Sequence, residues 1–295
     1  MTWADVFEEM AIEVASREAL IANGASGRLL AAAVKSGALV RARRDHYLLP
    51  TTSPQLTRAV RVGGRLACVS ALSHAKVFAM DARFPHIHLN HSMARLRSPR
   101  SRTVPLRGDN RDGVELHWWP LVDEEPGVAH SVSIIDALAQ SLRCQSSWHA
   151  LASIDNALFL GAIQPFEVRR IFELMPERIQ PLQALVDGRA EAGQETVLRM
   201  IVREAGLSYE LQVWVPGVGR VDMLVEGCLV VEADSRLAHD GWEKHVDDRH
   251  RDLVLASQGY MSLRPAYQHT IYEPDLVRTS ILGLLAQSRN FRHAL

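Results

Sequence analysis

Residues 220–234 read RVDMLVEGCLVVEAD, two short apolar runs joined at Glu226-Gly227. Such runs, rich in Val and Leu and split by a Gly turn, predict two paired strands. They carry three carboxylates: Asp222, Glu232 and Asp234. A buried strand avoids ionised groups unless these are paired or hold a metal. Glu232 and Asp234 are two residues apart and are expected on one strand face, with Asp222 near the edge of the preceding strand. Outward from this stretch, QETVLRMIVREAG (194–206) predicts a helix with Val197, Leu198, Ile201 and Val202 inward and Glu195 near its start. ELQVWV (210–215) predicts a strand, WEKHVDDRHRDLVLASQG (242–259) a helix stopped by Gly259, YMSLRP (260–265) a buried strand and EPDLVRTSILGLLAQS (273–288) a last helix. This order indicates an α/β sandwich. Gathered carboxylates repel one another, and hard cations that prefer oxygen ligands offset the repulsion. Asp222, Glu232 and Asp234 are therefore candidate ligands for Mg²⁺ or Mn²⁺. A metal so held can activate a water and steady the charge on a scissile phosphate.

The opposite end of the chain has a different pattern. Trp3, Val6, Phe7 and Met10 repeat at helical spacing. Ser16 caps a short helix that Gly24 ends, and Ser26 caps a second that Gly37 ends. ALVRARRDHYLLP (38–50) then predicts a strand over 39–43, a turn at Arg44-Asp45 and a return strand over 46–49. Three helices and a hairpin make the order of a winged helix-turn-helix. In that motif the second helix enters the major groove and the wing touches the backbone. Arg28 and Lys35 lie on that helix, and Arg41, Arg43 and Arg44 on the wing. Alternation puts Arg41 and Arg43 on one strand face, where they would reach phosphates together. A scaffold or protein-docking unit is the alternative.

Between these ends, TRAVRVGGRLACVSALSHAKVF (57–78) predicts a helix, a Gly-Gly break and a helix capped by Ser70. HIHLNHS (86–92) and GVELHWWP (113–120) alternate like strands, and the Arg-rich stretch 95–111 reads as a loop or ribbon. His86 and His88 share a strand face. No Cys or carboxylate lies close to them in sequence, so strand residues are expected there rather than a zinc site. Residues 133–186 predict a chain of amphipathic helices. The domains expected are 1–60, 61–188 and 189–295.

Composition narrows the classes. The chain has 295 residues, 47% of them apolar. Its start is not that of a signal peptide, and no stretch approaches the roughly 20 apolar residues of a membrane helix. With Cys68, Cys144 and Cys228 as its only cysteines, none in a C-x-x-C pair, a disulfide framework and a zinc ribbon are not expected. A cytoplasmic protein with no membrane partner is the expectation. The net charge of −1 hides an asymmetry: residues 26–111 carry sixteen Lys and Arg against three Asp and Glu. A basic segment of that kind suits a nucleic-acid partner, and a solvated basic face is the alternative.

Two resemblances sharpen these expectations. SREALIANGASGRLLAAAVKSGALVRARRDHYLLP (16–50) resembles the N-terminal domain of the AbiEi-like antitoxins of type IV toxin–antitoxin pairs, with Asp45 where that family usually has Gly. The resemblance implies a repressor that binds double-stranded DNA at its own promoter. It also implies a nucleotidyltransferase-like toxin encoded nearby, whose effect is countered without a required contact. Residues 192–285 resemble the PD-(D/E)XK nucleases, in particular the branch related to very-short-patch-repair endonucleases. They carry Glu195, Gln212, Arg220, Asp222, Glu232, Asp234, His239, Asp248, Arg249, Arg251, Asp252 and Arg264 at matching spacing. This second resemblance implies a restriction-endonuclease-like domain with Glu195, Asp222, Glu232, Asp234 and His239 as catalytic residues. Asp234 stands where the superfamily has Lys, although the related branch also uses Asp. Read without that resemblance, Arg249, Arg251, Asp248 and Asp252 form ordinary ion pairs along a helix, the reading favoured for Asp252.

The expected fold is thus α/β and multidomain: a winged helix, a mixed α/β middle and a nuclease-like end. Three functions follow: a DNA-binding antitoxin and autorepressor, a metal-dependent DNA endonuclease targeted by its winged helix, and a non-catalytic interaction module.

Overall fold

A computed structural model describes residues 2–80, 83–111, 113–123, 130–234 and 242–293, and only the backbone of 242–245 and 288–293. His239 lies outside the described residues. The chain is mixed α/β, with helices and four small sheets among the described residues. It forms two compact units, one of Met1–Gln145 with Phe166–Gln180, the other of Ser146–Pro165 with Pro181–Leu295. No helix among the described residues is long and apolar enough to cross a membrane.

The first unit opens with α1 (Trp3–Glu9), β1 (Val14–Ser16), α2 (Arg17–Ala22), α3 (Gly27–Ser36), β2 (Val40–Arg43) and β3 (His46–Leu48). The caps are those expected. Ser16 Oγ accepts from Ala19 N–H at 2.9 Å, Ser26 Oγ from Leu29 N–H at 3.2 Å, and Gly37 ends α3 at φ 80°. Asp45 takes the left-handed turn position at φ 61°, which a short polar side chain tolerates. Strand β1 is an addition: it pairs with β3, giving an antiparallel sheet in the order β1-β3-β2. Phe7, Ala15, Leu20, Leu30, Ala33, Leu39 and Tyr47 form the core beneath it.

Next come α4 (Pro54–Val62), β4 (Arg65–Leu66), α5 (Cys68–His74) and β5 (His86–His88). After them the ribbon β6 (Arg97–Ser98) and β7 (Ser101–Pro105) precedes β8 (Glu115–His117) and α6 (Ile134–Cys144). β5 lies between β4, antiparallel, and β8, parallel. A Cβ on Gly64 would fall 2.5 Å from the His88 carbonyl oxygen, so glycine is what lets β4 approach β5. Ser70 does not cap α5. The helix starts two residues earlier, and the buried Ser70 hydroxyl accepts from His86 N–H at 2.9 Å and donates to Phe84 O at 3.3 Å. The chain then leaves this unit for α7 (Ser147–Phe159) and returns to it as α8 (Val168–Phe172).

The second unit sets α7 beside α9 (Gly193–Glu204), whose Val197, Leu198, Ile201 and Val202 are buried as the periodicity requires. Strands β9 (Tyr209–Val215), β10 (Gly219–Val225) and β11 (Leu229–Val231) run antiparallel. Helix α10 (Trp242–Ser257) leads to β12 (Met261–Leu263), which pairs parallel to β11 at the sheet edge. Leu255 of α10 joins Val215, Val218, Val221, Leu224 and Val230 in one apolar cluster. The short α11 (Tyr267–Tyr272) and the long α12 (Pro274–His293) close the chain.

Inside this unit Asp155 and Arg199 form a buried ion pair at 2.7 Å. The Asp155 carboxylate also accepts from Thr196 Oγ1 at 2.8 Å and from Asp187 N–H at 2.7 Å. Burial pushes its pKa up to about 6, against the pull of Arg199.

Candidate functional site

The basic residues of the N-terminal elements separate into two kinds. Arg28 and Lys35 are exposed in the first and last turns of α3, and Arg44 is exposed at the hairpin tip, 3.4 Å from Asp45. Arg41 is half-buried, its guanidinium 6.0 Å from the Tyr47 ring centre. Arg43 turns inward and donates to Val62 O at 2.9 Å and to Arg95 O at 3.2 Å. Burial, and then Arg97, lowers its pKa. The register shifts between Arg41 and Arg43, and their guanidinium groups take different partners, the Tyr47 ring and the Val62 and Arg95 carbonyls. Arg43 therefore ties the hairpin to the end of α4 and to the start of the Arg-rich stretch. The exposed Arg95, Arg100, Arg102 and Arg107 lie along that stretch and the β6–β7 ribbon.

The candidate carboxylates of the second unit are engaged separately rather than at one point. The Glu195 carboxylate, in the first turn of α9, accepts from Ala192 N–H at 3.0 Å, Glu191 N–H at 3.2 Å and Gln212 Nε2 at 3.2 Å. Burial, and then the nearby Asp222 charge, pushes its pKa up to about 7. Asp222 on β10 accepts from Ala233 N–H at 2.8 Å, and burial raises its pKa too. Both line a small recess with Arg189, Leu198, Arg199 and Gln212. Gln212 takes φ 56° within β9, a strained value for a residue with a side chain. Glu232 is engaged differently: Arg251 holds one carboxylate oxygen at 2.7 Å and Arg264 the other at 2.6 Å. Strand β11 ends at Val231, so Glu232 and Asp234 follow it, and exposed Asp234 bridges to Ala266. Asp252 pairs with Arg249 one turn away on the helix at 2.9 Å, as the ion-pair reading expects, and also with Arg264 beyond the helix at 3.1 Å. Three acidic ligand atoms do not meet at one point among the described residues.

A different group does meet. The ligand atoms of Cys68, His86, His117 and Cys144 all lie within 4.8 Å of one another, and such a cluster could hold a metal ion. Cys68 opens α5, His86 opens β5, His117 ends β8 and Cys144 ends α6. His86 Nδ1 is 3.0 Å from His117 Nε2 and 3.6 Å from Cys144 Sγ. Hydrogen bonding between the thiols pulls the Cys144 pKa down and pushes that of buried Cys68 up. The sequence distance that argued against a metal at His86 does not persist in space. His88 on the same strand instead sits 3.5 Å from Gln140 Nε2, and burial takes its pKa down to about 4.

No protein-family model matches the chain, and no curated protein is found that matches it.

Proposed function

We propose that the chain is a double-stranded-DNA-binding repressor whose N-terminal elements act as a winged helix-turn-helix. One observation carries the reading: α2 and α3 precede a hairpin, and Arg28, Lys35 and Arg44 are exposed on the second helix and at the hairpin tip. Flexible cations placed there suit phosphate contacts, which fix register on a duplex. Arg43 acts by positioning the hairpin. The exposed arginines of the β6–β7 ribbon extend the same electrostatic attraction. The resemblance to AbiEi-like antitoxins makes its own promoter the DNA site and a nucleotidyltransferase-like toxin the functional partner. The C-terminal unit is then a restriction-endonuclease-like domain put to binding.

The test is retention of its own upstream DNA on a native gel. The Arg28→Ala/Lys35→Ala/Arg44→Ala variant is expected to lose retention at unchanged thermal stability. In salt titrations each lost phosphate contact lowers the slope of log K against log salt by about one. Unchanged retention would remove this reading.

A second reading, a Mg²⁺- or Mn²⁺-dependent endonuclease, is favoured by Glu195 and Asp222, whose charges repel within one recess. A divalent cation there would relieve the repulsion and activate water. Cleavage with Mn²⁺ that disappears in Asp222→Ala would put this reading first.

A further inference from the structure

We propose that Cys68, His86, His117 and Cys144 form a closed tetrahedral zinc site that staples the second half of the N-terminal unit. Zinc bonds of about 2.3 Å to sulfur and about 2.0–2.1 Å to nitrogen give tetrahedral edges of about 3.4 Å between nitrogens and about 3.6 Å between nitrogen and sulfur. The observed separations are 3.0 Å for His86 Nδ1 to His117 Nε2 and 3.6 Å for Cys144 Sγ to His86 Nδ1. Hydrogen bonds alone serve this group poorly, because His86 Nδ1 faces both His117 and Cys144 and has one proton or one lone pair to give. A single cation takes all four lone pairs at once.

The donor set decides which cation. Two thiolates and two imidazoles suit zinc and exclude Mg²⁺ and Mn²⁺, which take oxygen. With four protein ligands no position is left for substrate, so the role is structural. Binding sends the thiol protons to solvent, and the exposed edge at Cys144 is the way in.

The surroundings are built to hold the ligands. Cys68 sits at φ 49°, a left-handed value that a residue with a side chain adopts only under constraint. Gln140, one turn before Cys144 on α6, accepts from Cys68 N–H at 3.0 Å. Ser70 Oγ accepts from His86 N–H. Trp119 stacks on His117 with centroids 4.6 Å apart, and Arg143 lies 5.6 Å over Trp119. Partners of this kind fix ligand orientation. The site would join α5, β5, β8 and α6, whose short strands have little pairing of their own.

The rival is a Cys68–Cys144 disulfide, and one set of measurements separates the two. The full chain, purified without an affinity tag under reducing conditions, is expected to carry one zinc by mass spectrometry. Exchange into Co²⁺ should give the thiolate charge-transfer and d–d bands of a tetrahedral site, and Cys144→Ser should lose them. Gln140→Leu should keep the bands while binding Co²⁺ about 10–100-fold more weakly in competition with a chromophoric chelator. A reduced wild-type chain with neither zinc nor cobalt bands would overturn the proposal, even if Cys144→Ser fails to fold. So would peptide mapping that finds Cys68 and Cys144 joined in chain isolated without reductant.

Discussion

The Cys68–His86–His117–Cys144 cluster and the carboxylates around Asp222 solve one problem in two ways. Both bring ionisable groups into partly buried places, where an unpaired charge is expensive. The cluster leaves its four donors facing one another, with ligand atoms within 4.8 Å. The second unit distributes its charges instead: Glu232 to Arg251 and Arg264, Asp155 to Arg199, Glu195 to backbone N–H groups. A convergent set needs a shared ion, while a distributed set has neutralised itself. Glu195 and Asp222 keep a mutual repulsion within one recess.

The strongest way to break that comparison is at Asp155. If the second unit is held by internal pairing, Asp155→Ala strands Arg199 in the interior with Leu185 O as its remaining acceptor. Removing one partner of a buried ion pair costs about 3–5 kcal/mol, which urea unfolding should register. A loss well under 1 kcal/mol would mean that the pair organises little. Glu232 gives a smaller effect. Glu232→Gln removes the charge between Arg251 and Arg264 but keeps the shape and one acceptor oxygen. A charge-assisted hydrogen bond is worth about 1.5–3 kcal/mol, and the same unfolding measurement should return a value in that range. A neutral or stabilising outcome would instead favour Glu232 as an acid kept for a metal at the expense of stability.

What the sequence made legible was local. Ser16, Ser26 and Gly37 cap helices because capping chemistry acts over three residues, and the inward row of α9 follows from its period. Strand β1 carries no sequence signal, because three residues are too few to show alternation. Ser70 reads as a cap by composition, but its hydroxyl answers to His86 on another strand. Asp222, Glu232 and Asp234 were visible as acids in apolar runs. Which partners they take was not, since Arg251 and Arg264 reach Glu232 only once α10 and β12 are in place. The Cys/His cluster is scarcely legible in the sequence, where His86 reads as a strand residue. Its ligands come from four elements, and no short spacing links 68, 86, 117 and 144. The one available signal was that Cys68 and Cys144 fall in the same unit as several strand histidines, His86 and His117 among them.

A pH effect tests the residual repulsion itself. The Glu195 pKa is raised from 4.5 to about 7, first by burial and then by Asp222. A carboxyl that binds its proton more tightly folded than unfolded stabilises the fold below its unfolded value. That contribution is fully present below about pH 4.5 and is lost as pH rises through about 7. Stability of the second unit, followed by hydrogen exchange on β9 and β10, should therefore fall between pH 5 and pH 8. Glu195→Gln should flatten that fall, because the amide keeps the neighbouring contacts and carries no proton to lose. Added Mn²⁺ should flatten it as well if the Glu195–Asp222 recess takes a cation, since a bound ion lowers both carboxyl pKa values. A pH profile that Mn²⁺ leaves untouched, beside one that Glu195→Gln removes, would mark this recess as acidic by burial alone. The convergent cluster would then be the chain's better place for a metal.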